Sequence, residues 1–306
     1  MIRFVLRRIA AAFFTTVAAV VATFVMLRIA PGDPIAVLLG DMASDEEIAA
    51  ARQSYGLDLP IWQQMLIYLQ KAALLDFGQS ISQGVPVAEL VLSRFPSTLM
   101  LAGVTMVLVL AVAIPVGILG AVRRGKALDH TTATASFVAL SLPEFWVGIM
   151  LILVFARYLR WLPSGGAESV AALVLPVLTL ALPLVAVNLR LMTTETGNVL
   201  RAPYITMTRA RGIPFPRILR RHVLRNALIP VLTVGGIQFG HLLGGAAIVE
   251  TVFNWPGVGQ LLIRSIGLRD YPVVQGCLIL MTTAVIVINM LVDFAYRAID
   301  PRFRAG

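Results

Sequence analysis

The sequence predicts an all-α polytopic membrane protein with six transmembrane helices, on three observations. Of 306 residues, 58% are hydrophobic and only 13% are charged, against roughly 45–50% and about 25% in soluble globular chains. The apolar residues gather into runs of about 18 or more, the length a helix needs to cross a hydrocarbon core of about 30 Å. The basic residues fall mostly on alternate connections between those runs, as the positive-inside rule requires. This composition excludes intrinsic disorder and a soluble enzyme built round one core.

The first run, about 9–27, follows Arg3, Arg7 and Arg8. Those arginines resemble a signal-peptide n-region, but the stretch is long and no small-residue cleavage site precedes Arg28, so 1–30 is expected to remain as a cytoplasmic segment and first span. The segment 31–96 then lies outside. Ser44-Asp45-Glu46-Glu47 has the form of a capping box and opens a helix to about Tyr55, which Gly56 stops. A second helix, about Ile61 to Leu74, follows Pro60 and carries Trp62, Leu66 and Leu69 on one face. A small helical cap is expected there, with a pair of helices lying on the lipid surface as the alternative.

The core, 97–299, holds the other five runs, about 97–122, 131–156, 169–189, 226–249 and 271–292, and a tail, 300–306, follows. With both termini inside, cytoplasmic segments carry 17 of the 25 Lys and Arg, eight of them between Arg190 and Arg225. The net charge of +9 therefore reports topology and not nucleic acid. Cys277 lies alone within an apolar run, so no disulfide within the chain can form.

Enzyme chemistry has no visible home. Gly120 to Ala127 matches G-x-x-x-x-G-K and then fails at Ala127, where Ser or Thr would ligate magnesium. His130, His222 and His241 are far apart, and neither H-E-x-x-H, G-x-S-x-G nor paired cysteines occur, which leaves no catalytic, cofactor or metal residues to name.

The cytoplasmic connection 190–229 is the most informative segment. Tyr204 to Arg211 reads as a short helix including Thr208, Arg209 and Ala210, with Gly212 as its left-handed stop. Pro214 and Pro216 make a rigid turn, and Arg217 to Leu228 a second helix leading through Pro230 into the fifth span. Arg209, Arg211, Arg217, Arg220, Arg221 and Arg225 are placed to meet a partner's carboxylates or anionic headgroups.

Arg201 to Gly212, followed by Arg220 to Pro230, resembles the cytoplasmic coupling loop of ATP-binding-cassette (ABC) import permeases of the dipeptide, oligopeptide and nickel branch. Ala30-Pro-Gly-Asp-Pro34, Tyr55-Gly-Leu-Asp58, Asp76-Phe-Gly-Gln-Ser80, Phe253-Asn-Trp-Pro-Gly-Val-Gly259, Arg269-Asp-Tyr-Pro272 and Asp300-Pro-Arg302 resemble the same branch, in order and nearly end to end. Thr206, Met207 and Thr208 stand where the wider family has Glu-Ala-Ala, and His222-Val-Leu-Arg225 replaces its Ile-x-Leu-Pro. The resemblance implies a type I ABC importer permease fold in a bacterial inner membrane, with Tyr204, Thr208, Arg209, Ala210, Arg211, Gly212 and Arg217 coupling to a separate ATPase. It further implies a second homologous permease subunit, two ATPase subunits or domains that bind ATP and Mg, and an external binding protein docking on 31–96 and 251–274. Short peptides, glutathione-like solutes and nickel complexes are all carried by such relatives. A stand-alone secondary carrier is the rival reading.

Polar residues at bilayer depth are costly and mark cavities or helix contacts. Glu144, directly after Pro143 near the centre of the third run, is a candidate for the translocation path, as are Gln238 and His241 in the fifth. Gln238 and His241 equally suit hydrogen bonds within the bundle. Gly236, Gly240 and Gly244 form a G-x-x-x-G-x-x-x-G ladder expected to bring another helix close.

Overall fold

The computed structural model describes residues 2–29, 44–54, 58–74 and 76–299, and the chain divides into two units. Gly56 and the Ala30–Pro34 and Asp300–Arg302 motifs lie outside the described residues.

The first unit joins Met1–Leu99 to Pro256–Ile286. Its helices are α1 (Ile2–Ile29), α2 (Asp45–Ser54), α3 (Ile61–Ala73), the start of α4 (Val87–Val122), α12 (Val258–Gly267) and most of α13 (Tyr271–Ile299). Ser44 opens α2 with its carbonyl accepting from the Ile48 N–H at 3.0 Å. Trp62 and Leu66 of α3 are exposed, whereas Tyr68 stacks on Phe24 of α1 at 5.8 Å between ring centres. Burial pushes the Tyr68 phenol well above its ordinary range, so it stays neutral and serves as packing. Val87, Val91, Val258, Val273 and Cys277 form the apolar core. Gly276 lets α13 reach α4, since a Cβ there would stand 2.5 Å from Val87 Cγ1.

A buried carboxylate organises the far end of this unit. Gln79 and Pro86 form an antiparallel bridge, closing a turn with Gly84 at φ +68. Asp270, 1% exposed at the start of α13, accepts from Ser80 Oγ at 2.6 Å, Ser82 Oγ at 2.7 Å, Ser82 N at 3.0 Å and Ile81 N at 3.2 Å. Its own carbonyl accepts from Val274 N at 3.0 Å. The motifs Asp76–Ser80 and Arg269–Pro272 are therefore two halves of one clamp.

The second unit joins Met100–Trp255 to Val287–Gly306. It holds the rest of α4, α5 (Ala127–Ser141), α6 (Glu144–Leu151), α7 (Val174–Leu200), α8 (Pro203–Ala210), α9 (Phe215–Ile218), α10 (Leu224–Gly245), α11 (Ala247–Val252) and the end of α13. A π-helical turn extends α6 to Tyr158, and another, Leu219–Val223, links α9 to α10. Half of the most apolar window of α7 is buried, against a third for the other long spans, so α7 is the most enclosed. Gly117 of α4 sits against Met192 of α7, where a Cβ would lie 2.7 Å from the Met192 Cβ.

Among the described residues four helices are long and apolar enough to cross a membrane, or five where a bent pair counts as one span. The helix α1 contributes a shorter apolar stretch, Phe13–Met26. The third run is thus not the single helix that its composition predicts over 131–156. The chain turns by 100° between Ser141 and Glu144. Leu142 is extended at φ −91, ψ 129, because the ring of Pro143 crowds the α conformation of the residue before it. The helix of the fourth run outlasts its apolar stretch: α7 continues eleven residues beyond Leu189, into the connection 190–229.

The glycine ladder packs at one rung. A Cβ on Gly236 would collide with the Val292 side chain of α13, and Gly240 is buried, but Gly244 faces open space. Gly236 is thus where the ladder brings another helix of this chain close. The Phe253–Gly259 motif is largely internal: Phe253 and Trp255 are 1% and 2% exposed, and Gly166 N donates to the Phe253 carbonyl at 2.9 Å.

Replacing Asp270 with Ala removes the acceptor that serves the Ser80 and Ser82 hydroxyls and the Ile81 and Ser82 N–H groups, a loss on the order of 2–4 kcal/mol. Thermal unfolding of the purified chain in detergent should show a lower midpoint for Asp270→Ala, with Asp270→Asn in between. An unchanged midpoint would mean that the clamp contributes nothing.

Candidate functional site

The segment between α7 and α10 meets the sequence expectation closely. Ala202 is extended, and Pro203 occupies the first turn of α8, where its fixed φ suits helix entry and its missing N–H is not needed. Thr208 Oγ donates to the Tyr204 carbonyl at 2.6 Å, and Asn226 Nδ2 of α10 donates to Tyr204 Oη at 3.2 Å. Gly212 N donates to the Arg209 carbonyl at 2.9 Å. Gly212 then adopts φ +72, where any Cβ is strained, and the chain reverses. Pro214 is extended and caps α9, its carbonyl accepting from Arg217 N and Ile218 N.

Beneath this surface lies a small apolar core. Ile205 of α8, Ile218 of α9 and Val223 of the π turn are at most 1% exposed and pack with Val199 and Leu200 of α7. Each buried aliphatic side chain contributes on the order of 1.5–3 kcal/mol, enough to hold the two short helices against their long neighbours. The outer surface is the reverse. Arg209, Ala210, Arg211, Gly212 and Arg217 are all exposed, with Arg220, Arg221 and Arg225. Tyr204 and Met207 are 44% and 64% exposed. The Arg209 guanidinium lies 5.6 Å from the centre of the Phe215 ring, a cation–π contact across the turn. This element can receive force at an exposed cationic tip and pass it to α7 and α10, to which it is joined by both chain and core.

The candidate path residues differ in their surroundings. Glu144 stands at the first position of α6, exposed, where the N-terminal end of the helix dipole favours a carboxylate. His241 is also exposed. Gln238 accepts from Asn188 Nδ2 of α7 at 2.5 Å, taking the bundle-internal alternative. Asn188 also donates to the Leu184 carbonyl at 2.8 Å, and its Oδ1 is buried without a partner. A single amide inside the fourth apolar run was the only sequence signal for Asn188, and periodicity gives it no role. Among the described residues no group of three or more His, Cys, Asp or Glu is placed to hold a metal ion.

Comparison with known proteins places this geometry in context. Residues 113–305 match the family model described as binding-protein-dependent transport system inner membrane component, and residues 1–102 match the model for the N-terminal part of such components. The chain is 39% identical over 304 residues to the glutathione transport system permease protein GsiC of Escherichia coli strain K12, covering 99% of each chain. The same protein of Shigella dysenteriae matches equally, at 39% over 99% of each chain. Among solved structures, an inward-facing MetNI methionine ABC transporter aligns with a TM-score of 0.57 at 21% identity, over 70% of this chain and 97% of that one. An amino acid ABC transporter structure aligns with a TM-score of 0.51 at 15% identity, over 69% and 94%. At these identities the two structures are alike in fold alone.

The Ile218→Ala change opens a cavity under the turn and should cost about 2–5 kcal/mol locally. Amide exchange across 203–223 should then quicken by about tenfold or more, since about 1.4 kcal/mol is a factor of ten in an opening equilibrium. Exchange unchanged from the parent would show that the segment is not held by its core.

Proposed function

The chain belongs to the family of binding-protein-dependent transport system inner membrane components, and on that premise we propose that it forms one half of the passage of an ATP-driven importer for short peptides or glutathione-like solutes. It is a multi-pass inner-membrane permease subunit of the dipeptide and oligopeptide branch of ABC importers. Both termini are cytoplasmic in this reading, because that orientation puts 17 of 25 Lys and Arg inside. A second permease chain completes the passage, two ATPase subunits or domains bind ATP and Mg, and an external binding protein delivers the solute.

One observation carries the mechanical part of the reading: an exposed cationic tip at Gly212 rests on a buried core continuous with α7 and α10. The pair Tyr204 and Thr208, with Arg209, Ala210, Arg211, Gly212 and Arg217, seats this tip in a cleft of the ATPase. Closure of the ATPase on ATP pushes the tip, and because Ile205 and Ile218 transmit that push without slack, α7 and α10 rock together. Glu144 and His241, exposed on this chain, face the passage or the second permease subunit. Gln238 instead fixes α10 to α7 through Asn188. The choice of substrate rests on the 39% identity to the glutathione permease. Other dipeptides, and nickel complexes, are the alternatives within the branch.

Reconstitution decides between these readings. Proteoliposomes holding the chain with its second permease, ATPases and binding protein should accumulate labelled glutathione or dipeptide only with ATP, and Glu144→Gln should lower the rate severalfold without disturbing assembly. Flux through the chain alone, without ATP, would establish the secondary carrier instead. Full uptake by the Glu144→Gln complex would remove that residue from the path.

A further inference from the structure

The second unit contains a cavity of about 230 Å³ that the transport reading does not use. Arg124 just after α4, Thr132 from α5, and Arg190, Thr193, Thr194 and Arg201 along α7 line it, and no acidic residue is among the described side chains that do. The α7 residues Arg190, Thr194, Gly197 and Arg201 follow a spacing of four, three and four, so they share one face of that helix. Gly197 leaves room beside them, with a Cβ there lying 3.8 Å from Arg124 Nη1.

Two of the three guanidinium groups are held in place. Arg190 lies 4.6 Å from the centre of the Phe137 ring of α5, which fixes its plane and leaves its N–H edge free to bind. Arg201 Nη2 donates to Asn198 Oδ1 at 3.0 Å, leaving its remaining donors available. Among the described residues no carboxylate neutralises any of the three. Three like charges round one small polar cavity favour a multivalent anion, and guanidinium forks match the several acceptor oxygens of a phosphate group.

We infer that this cavity binds a phosphate group, bridging Arg124 just after α4 to Arg190 and Arg201 on α7. Arg201 caps α7 two residues before Pro203 opens α8. An anion here therefore ties the root of the exposed segment to α4 and α5. The phosphate can belong to the headgroup of an anionic lipid or to a soluble phosphate compound. The proposed orientation places the lipid source in the inner leaflet.

The test uses the full chain in neutral detergent, with thermal stability read against phosphatidylglycerol, phosphatidylcholine and inorganic phosphate at fixed ionic strength. Phosphatidylglycerol should raise the midpoint in a saturable way while phosphatidylcholine does not, and stabilisation by inorganic phosphate as well would assign a soluble ligand. The triple variant R124Q/R190Q/R201Q should bind the active probe at least about tenfold more weakly, as loss of charge-assisted hydrogen bonds implies. The single variants R124Q and R201Q, at exposed positions, give the same readout with smaller losses if the triple variant does not fold. Equal shifts in parent and variants, or no shift with either phosphatidylglycerol or inorganic phosphate, would overturn the site.

Discussion

Ile205 and Ile218 lie on opposite sides of the Gly212 turn and meet Val223 in a core at most 1% exposed. In the proposed transporter, that contact makes the turn a mechanical part. Without it, α8 and α9 would be two short helices joined by a loop, each below the length at which an isolated helix persists in water. With it, the exposed arginines are mounted on the ends of α7 and α10, and displacement of the tip becomes displacement of two membrane helices. The left-handed backbone at Gly212 and the flanking Pro214 set the reversal that brings the two isoleucines together. The exposed arginines and the buried isoleucines are thus neighbours in sequence with opposite burial.

Inside the bundle the same economy of polar groups applies. Asn188 and Gln238 hydrogen-bond across α7 and α10, a pairing that lets two amides lie among apolar helices at modest cost. A rigid α7–α10 pair suits helices that move as one body. The broken third run is different in kind, since its 100° turn presents the start of α6 and the Glu144 carboxylate at an exposed surface of this chain. Only a third of the most apolar window in most long spans is buried within the chain, so much of its surface is left for lipid or for the second permease subunit.

Much of this was legible in the amino-acid order because the signals are local. Apolar runs mark the long helices by length alone, and Gly212 with Pro214 and Pro216 marks the turn by chemistry that few other residues supply. The features that escaped depend on contacts distant in sequence. Asp270 finds Ser80 and Ser82 across 190 and 188 residues, and no periodicity announces that pairing. Pro143 signals a bend, but whether a span bends or breaks is settled by the extended Leu142 and by what packs beside it. A glycine ladder specifies a surface that another helix can approach, and tertiary packing decided that Gly236 would be used and Gly244 left open.

The central claim is that the tip around Gly212 is gripped by a separate ATPase. Met207, 64% exposed on α8, is the most direct reporter, because the native Cys277 is fully buried and gives little background reaction. In the assembled transporter, a Met207→Cys chain should cross-link to a cysteine placed in the ATPase cleft, and the cross-link should arrest ATP-driven uptake. If Met207→Cys remains free and accessible to thiol reagents while uptake proceeds at the parent rate, the tip is not the seat of the motor.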